Sequence, residues 1–364
     1  MTVFRVIDDH VVSEAEYRAR RHEITTFLDA RAIGEAKRGL MLSGERTLTA
    51  TAPAAPAGAP DPIGKGLPLS ILIREVYTGK YPDDGPFGDG GDIAVVSGVK
   101  NYDVFNATAR ALNFLVKDVK EHSRLRRPSP FTEGTSLVAY SPAVMTDSLT
   151  VGFEFAVADF PQEFVNSLSN AFSTLAGIPL LLPYSGYMLG AGALFKLVGN
   201  VGHALFDGIK FTVTDSIDFD IYGAQPAVAG FRIVAATDEF SNYQYTDAGG
   251  LVDAQGKKYA GDTPYIVVSL DGRQRDNLKT FAPTAASAAV LQRFFSVKDG
   301  GQVAIDTVVE GLQFVSDAKY RDQAMALKAQ LVDPSVTDPA RKKALQDGYA
   351  AAVKNIVSDA MKPK

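Results

Sequence analysis

SLTVGFEFAVA, Ser148–Ala158, is the stretch that decides how the chain is read. Leu149, Val151, Phe153, Phe155 and Val157 occupy every second position, so an extended backbone projects all five from one side. Helical geometry would scatter them around the axis. The same alternation recurs outward in both directions. Upstream it marks Leu69, Ile71 and Ile73, then Asp92–Val99 and Ser136–Tyr140. Downstream it marks Lys210–Tyr222, Phe231–Ala236, Asn242–Thr246 and Thr263–Leu270, with a turn at Gln255–Gly256. Many strands at short spacing, with few helices between them, predict an α+β chain built on an antiparallel β-sandwich.

Immediately after this strand comes an interval, Phe164–Phe195, without one charged residue. Asp159 can cap a helix there, with Pro161 in its first turn. Phe164, Leu168, Phe172 and Leu175 form its stripe, and Gly177 and Pro179 end it. A second helix beginning near Ser185 carries Leu194, Phe195, Val198, Val201 and Leu205. The expectation is an apolar helical hairpin, hinged at Pro179 and Pro183 and inserted at 160–209. Its surface must be covered by the chain's own core, by a second copy or by lipid. Phe164, Leu168, Phe172, Leu194 and Phe195 are the interface candidates it supplies.

Both ends read as helical. Ser13 is an N-cap candidate with Glu16 completing a capping box and Val12 stapling onto Tyr17. A helix over 13–38 would gather Tyr17, Ile24, Phe27 and Leu28 on one face, and Tyr17, Ile24 and Leu28 join the interface candidates. TATAPAAPAGAPDP (Thr49–Pro62) favours extended conformation and reads as a tether. The expected organisation is a helical arm at 1–48, a tether at 49–66, a β-body at 67–275 and a helical region at 276–364. In that last region Pro283 is placed to open one helix, and Ile305, Val308, Val309, Leu312 and Val315 stripe a second. Asp338–Pro339 form the cap and first turn of a third.

Composition narrows the function. The 364 residues are 46% hydrophobic and carry a formal net charge of −5, enough apolar residue for a sizeable core. Arginines gather at Arg18, Arg20 and Arg21 and again at Arg124, Arg126 and Arg127. Both clusters read as solvated faces, and neither makes the sustained basic footprint that nucleic acid requires. With no cysteine, thiolate chemistry, disulfides and cysteine-held metals are out of reach. The polar start MTVFRVIDDHVV is unlike a secretory signal, and no apolar run is long and unbroken enough for an ordinary transmembrane helix. The cytoplasm is the expected compartment.

Asp83, Asp84, Asp89 and Asp92 crowd the glycine-rich loop YTGKYPDDGPFGDGGD (Tyr77–Asp92), between two expected strands. Crowded carboxylates on a loop whose glycines let carbonyls turn inward suit a hard cation such as calcium, and they equally suit a solvated hairpin whose aspartates serve turn geometry and solubility. The arrangement resembles a C2-type sandwich over residues 67–270. Asp84, Asp89 and Asp92 stand for its first acidic loop, and FEFAVAD (Phe153–Asp159) for a strand ending on an acid. Gly91–Asp92–Ile93 stands where that family commonly has Asp-Pro-Tyr. The resemblance implies calcium held by Asp83, Asp84, Asp89, Asp92 and Asp159 against a membrane surface.

No HExxH, GxSxG, GxxxxGK[ST] or strand-linked GxGxxG motif occurs, and His10, His22, His122 and His203 are far apart in sequence. His203 and Asp207 share a helical face, a spacing better suited to a buried polar pair than to catalysis. These features predict a non-enzymatic interaction or assembly protein, whose partner is itself or another protein. Two other readings are a calcium-dependent membrane-binding module and a membrane-perforating effector using the hairpin at 164–206.

Overall fold

The structure, a computed structural model, describes residues 2–43, 46–51, 60–81, 90–101, 107–126, 136–158, 180–183, 209–219, 227–236, 239–275, 278, 284–285 and 301–363. Its strands in chain order are β1 (Thr2–Ile7), β2 (His10–Ser13), β3 (Leu40–Met41), β4 (Thr47–Leu48), β5 (Leu69–Tyr77), β6 (Gly90–Asn101), β7 (Ala107–Lys120), β8 (Arg124–Leu125) and β9 (Leu137–Ser141). They continue as β10 (Ser148–Ala158), β11 (Leu180–Pro183), β12 (Ile209–Asp218), β13 (Gly230–Ala235), β14 (Gln244–Thr246), β15 (Gly250–Val252), β16 (Tyr265–Asp271) and β17 (Thr284–Ala285). The helices are α1 (Glu14–Ala19), α2 (Arg21–Ala32), α3 (Gly301–Leu331) and α4 (Pro339–Lys354).

The fold is mostly antiparallel sheet with few helices. One sheet has nine strands, ordered β15-β14-β2-β1-β13-β16-β5-β8, with β9 also paired to β5. A second has six, ordered β12-β10-β6-β7-β11-β17, and β3 and β4 make a small ribbon. The alternating stretch is β10, with the bounds its pattern predicted, and it pairs with β12 on one side and β6 on the other. Its five alternating side chains all enter one apolar core, which draws on both sheets. Ile71, Ile73, Val268 and Leu270 come from the nine-stranded sheet, and Phe114, Phe153, Phe155 and Ile217 from the six-stranded one. Fully burying a side chain such as Phe155 contributes roughly 1.5–3 kcal/mol.

The helical arm expected over 1–48 begins instead as two strands of the larger sheet. β1 pairs with β13 from Thr2↔Ala235 to Arg5↔Arg232 and with β2 through a turn that holds Asp8 at φ 60. Val3 enters the shared core and Phe4 a second cluster on the other face. A strand covered on both faces shows no polar alternation, which hid it in the sequence. The helix expected over 13–38 is split into α1 and α2 at Arg20, whose φ of −114 leaves the helical range. Ser13 Oγ does accept from Glu16 N at 3.1 Å. The Glu16 carboxylate does not reach back to close a capping box. It takes Ser43 N at 2.7 Å and Arg46 Nη2 at 3.4 Å.

Within the uncharged interval the described residues are Leu180–Pro183, and they form β11 rather than a helix hinge. β11 runs antiparallel to β7 (Leu180↔Arg110 to Pro183↔Ala107) and parallel to β17. A residue preceding proline is driven to extended geometry, which disfavours helix at Leu182 and suits a short strand. The remainder of the anticipated hairpin lies outside the described residues. A helix expected from Pro283 is replaced at Thr284–Ala285 by β17. α3 spans the segment expected to be helical, from Ile305 to Val315, and extends to Leu331. α4 starts as expected, with the Asp338 carboxylate accepting from Ala340 N and Arg341 N, each at 3.2 Å, and Pro339 in its first turn.

Candidate functional site

LSILIREVY, the sequence of β5, changes phase halfway. Leu69, Ile71 and Ile73 face the shared core, and simple alternation would send Glu75 there too. A β-bulge against β16 inserts one residue: Val268 pairs with Ile73, Val267 with Glu75, and Arg74 is extra. Val76 therefore takes the core side, while Glu75 and Tyr77 turn to the opposite face, where Tyr77 joins Tyr265 and Val267. β8 lies against this end of β5, with Leu125 opposite Val76 and Arg124 opposite Tyr77. That register delivers Arg124, and two residues on Arg126, to the Glu75 face.

The result is a buried ionic knot. The Glu75 side chain is 1% exposed. Its Oε1 accepts from Arg124 Nη1 at 3.0 Å and Tyr265 Oη at 2.6 Å, and its Oε2 from Arg126 Nε at 2.8 Å. Arg124 Nη2 donates to Tyr259 O at 2.5 Å, and Arg126 Nη1 to Ala248 O at 3.1 Å. Gly250, at φ +78, closes the other side, and a Cβ there would stand 2.8 Å from Arg126 Nη2 and 3.3 Å from Glu75 Oε2. Arg124, 17% exposed, thus leaves the solvated face expected of it, while Arg126, 38% exposed, stays at the edge of the knot. Both carboxylate oxygens are engaged, so Glu75 ties Arg124, Arg126 and Tyr265 together.

Aromatic rings surround the knot. Tyr77 stacks on Tyr265 at 5.1 Å between centroids and meets Tyr259 edge to face at 5.3 Å, and Phe240 packs edge-on to Tyr259 and Tyr265. Tyr77 Oη donates to Gly261 O at 2.9 Å and lies 3.0 Å from His122 Nδ1. Burial pushes the Tyr77 hydroxyl up to about 12. Burial first, then the adjacent Glu75 carboxylate, drives Tyr265 higher still, so both phenols stay protonated donors at neutral pH. Beside them Asn242, Tyr243, Asp253, Ala254, Gln255 and Tyr259 line an open recess of about 350 Å3.

A second charged group joins the two sheets. Arg232 on β13 binds Asp215 on β12, both buried, and Arg5 grips Glu14 at 2.6 and 3.0 Å while stacking over the Tyr17 ring. Burial raises the Asp215 pKa against the opposing pull of Arg232.

The residues singled out from sequence divide sharply. Asp83, Asp84, Asp89 and Asp159 lie outside the described residues, as do Phe164, Leu168, Phe172, Leu194 and Phe195. Asp92 is buried at the start of β6, its Oδ1 accepting from Asp118 N at 3.2 Å, and it pairs in register with Ala158. Among the described residues no three His, Asp or Glu side chains gather as metal ligands do. Tyr17 and Ile24 are buried and Leu28 partly so, covered within the chain by Ile7, Val12, Leu42 and Leu48. That corrects their assignment as interface residues, because α1 and α2 dock on their own sheet. The knot itself escaped the sequence reading, since Glu75 and Arg124 come together only through the bulge.

Among the described residues an apolar stripe is exposed at α3. On α3, Phe314 and Met325 are 61% and 49% exposed, and Val332, just past its end, is 75% exposed. The adjacent face holds Asp317, Tyr320 and Ala324, all buried. There Asp317 accepts from Val357 N at 3.0 Å and Ser358 N at 2.8 Å, and Asn355 Nδ2 ties the helical pair to Ala143 O at 2.7 Å. Among the described residues no helix is long and apolar enough to cross a membrane.

The fold and these surfaces define a largely antiparallel β protein carrying a C-terminal helical pair. No family model, curated protein or solved structure matches the chain.

Proposed function

We propose that this chain is a non-enzymatic assembly protein, a β-sandwich body whose helix α3 pairs with α3 of a second copy. The observation that carries this reading is the exposed stripe of Phe314 and Met325 on α3 and Val332 just past its end, flanking the buried face that carries Tyr320 and Ala324. Its spacing is self-complementary. In an antiparallel two-fold pairing centred near Gln323, Phe314 meets the other copy's Val332, and Met325 meets the aliphatic stem of Arg321. Two-fold pairing is the commonest way for one patch to cover itself.

Light scattering after size exclusion at micromolar concentration is the test. A dimer that becomes a monomer in Met325→Glu, with unchanged circular dichroism, supports the reading. A monomeric wild type, or a dimer indifferent to the substitution, overturns it.

A second reading, calcium-dependent membrane docking, is favoured by one register. Asp92, the last acid of the glycine-rich loop, pairs with Ala158, the residue before Asp159. Two acidic segments far apart in sequence thereby start from neighbouring strand ends. Calorimetric titration with calcium tests it: heat that Asp92→Asn reduces supports the reading, and a flat titration of the wild type ends it.

A further inference from the structure

We propose that Met325 is a reversible oxidation site that controls α3: a hydroperoxide converts its thioether to the sulfoxide, and the oxidised chain no longer pairs through that helix. This inference rests on the α3 pairing proposed above and adds its regulation. Phe314, Met325 and Val332 fall within about 20° of one line along the helix. Helical hydrogen bonding runs on to Val332, whose N donates to Lys328 O at 3.3 Å. Met325 therefore stands between the other two, about three turns from Phe314 and about two from Val332.

Of these three side chains only Met325 has chemistry that can change its polarity. The chain has no cysteine and no tryptophan, so its thioethers are the groups a mild oxidant reaches first. Met145 and Met361 are packed against Tyr320 and Ile356, whereas Met325 is 49% exposed and Met41, on β3, is 64% exposed. Met1 and Met188 lie outside the described residues. Reaction with hydrogen peroxide needs no protein catalyst. A sulfur lone pair attacks one peroxide oxygen, and the S–O bond forms as the O–O bond breaks. The proton on the transferred oxygen moves to the departing hydroxide, giving sulfoxide and water. Sulfur loses two electrons and the peroxide gains them.

The product is a polar side chain with a strong acceptor oxygen. Water satisfies that oxygen while Met325 is exposed. Pairing would press it against the aliphatic stem of the other copy's Arg321 and strip the water without a replacement. The linkage runs both ways. Pairing covers the thioether, so the free chain is the form that reacts, and each oxidation draws the equilibrium toward it.

The test treats the full chain with millimolar hydrogen peroxide, then reads sulfoxide at each methionine by peptide mass spectrometry and molar mass by light scattering. Oxidation should raise the concentration at which half the chains are paired about a hundredfold, tenfold for each sulfoxide, with unchanged circular dichroism. Treatment with the two methionine sulfoxide reductases should restore the dimer. Met325→Leu, which stays apolar, should remain a dimer after peroxide, while Met41→Leu should dissociate as the wild type does. Oxidation of Met325 should also slow as protein concentration rises, and that of Met41 should not. A dimer that persists with Met325 fully oxidised overturns this proposal and leaves the α3 pairing standing. Equal dissociation of Met325→Leu does the same. A wild type that is monomeric before peroxide overturns the pairing itself, and this proposal with it.

Discussion

Arg18 and Arg20, at the end of α1, and Arg124 and Arg126, around β8, are equally basic segments with opposite fates. Arg18 is 67% exposed and reaches Glu14 one turn away at 2.9 Å. Arg20 meets Glu23 at 2.8 Å and Glu16 at 3.5 Å, both neighbours on the same stretch of helix. Arg124 is 17% exposed and meets a carboxylate 49 residues distant, in a site closed by tyrosines. Arg18 forms a local pair at the surface, worth a few tenths of a kcal/mol. The second cluster forms a desolvated knot, in which removing one partner strands buried charge. Charge density along the chain does not distinguish them; distance in sequence and the burial of Glu75, 1% exposed, do.

The strongest way to break the comparison is Glu75→Ala. Stranding Arg124 beside the tyrosines should lower unfolding free energy by about 3–5 kcal/mol in urea denaturation, with Glu75→Gln costing less. A loss below about 1 kcal/mol would put the knot in the same class as the surface pairs. Gly250→Ala should cost about 1–3 kcal/mol, because the left-handed backbone and the crowded guanidinium both oppose a Cβ.

Alkaline titration sharpens the contrast from the proton side. The Tyr77 hydroxyl is raised from 10.0 to about 12, so an unfolded chain releases that proton at lower pH than the folded one. Its contribution to stability is complete below pH 10 and is lost as pH rises from 10 to 12. Phenolate absorbance should lag behind that of free tyrosine and then climb together with the loss of circular dichroism. Phenolate appearing near pH 10 before any unfolding would contradict the burial.

Smaller effects belong to the helical segment. Ser13→Ala should cost about 1 kcal/mol, the usual worth of an N-cap. Arg18→Ala should stay within about 0.5 kcal/mol in the same urea assay, and a larger change would mean that the Arg5–Glu14 pair behind it is coupled to the surface.

β10 was legible in full because one of its faces is uniformly large and apolar, and β6, β9, β12, β13 and β16 were found by the same alternation. β1 and β7 were not. β1 is covered on both faces, and β7 mixes Arg110, Asn113, Lys117 and Asp118 into its fourteen residues. Ser13 and Asp338 were recognisable as caps because capping chemistry is local. The first 48 residues supply β1 and β2 to the larger sheet, with a practical consequence: deleting 1–62 would remove β1 from the middle of the nine-stranded sheet.

The amino-acid sequence alone determined the β character of the body, the helical C-terminal region, both caps and the absence of thiol chemistry, since each rests on residue type and short-range spacing. Tertiary structure decided which charges are buried. A single bulge at Arg74 turns Glu75 away from the apolar core, and β8 and Gly250 then enclose it with Arg124 and Arg126. Neither event has a local signal. The phase of a strand can shift by one residue wherever its partner permits, and an arginine finds its carboxylate only when distant strands have already been brought together.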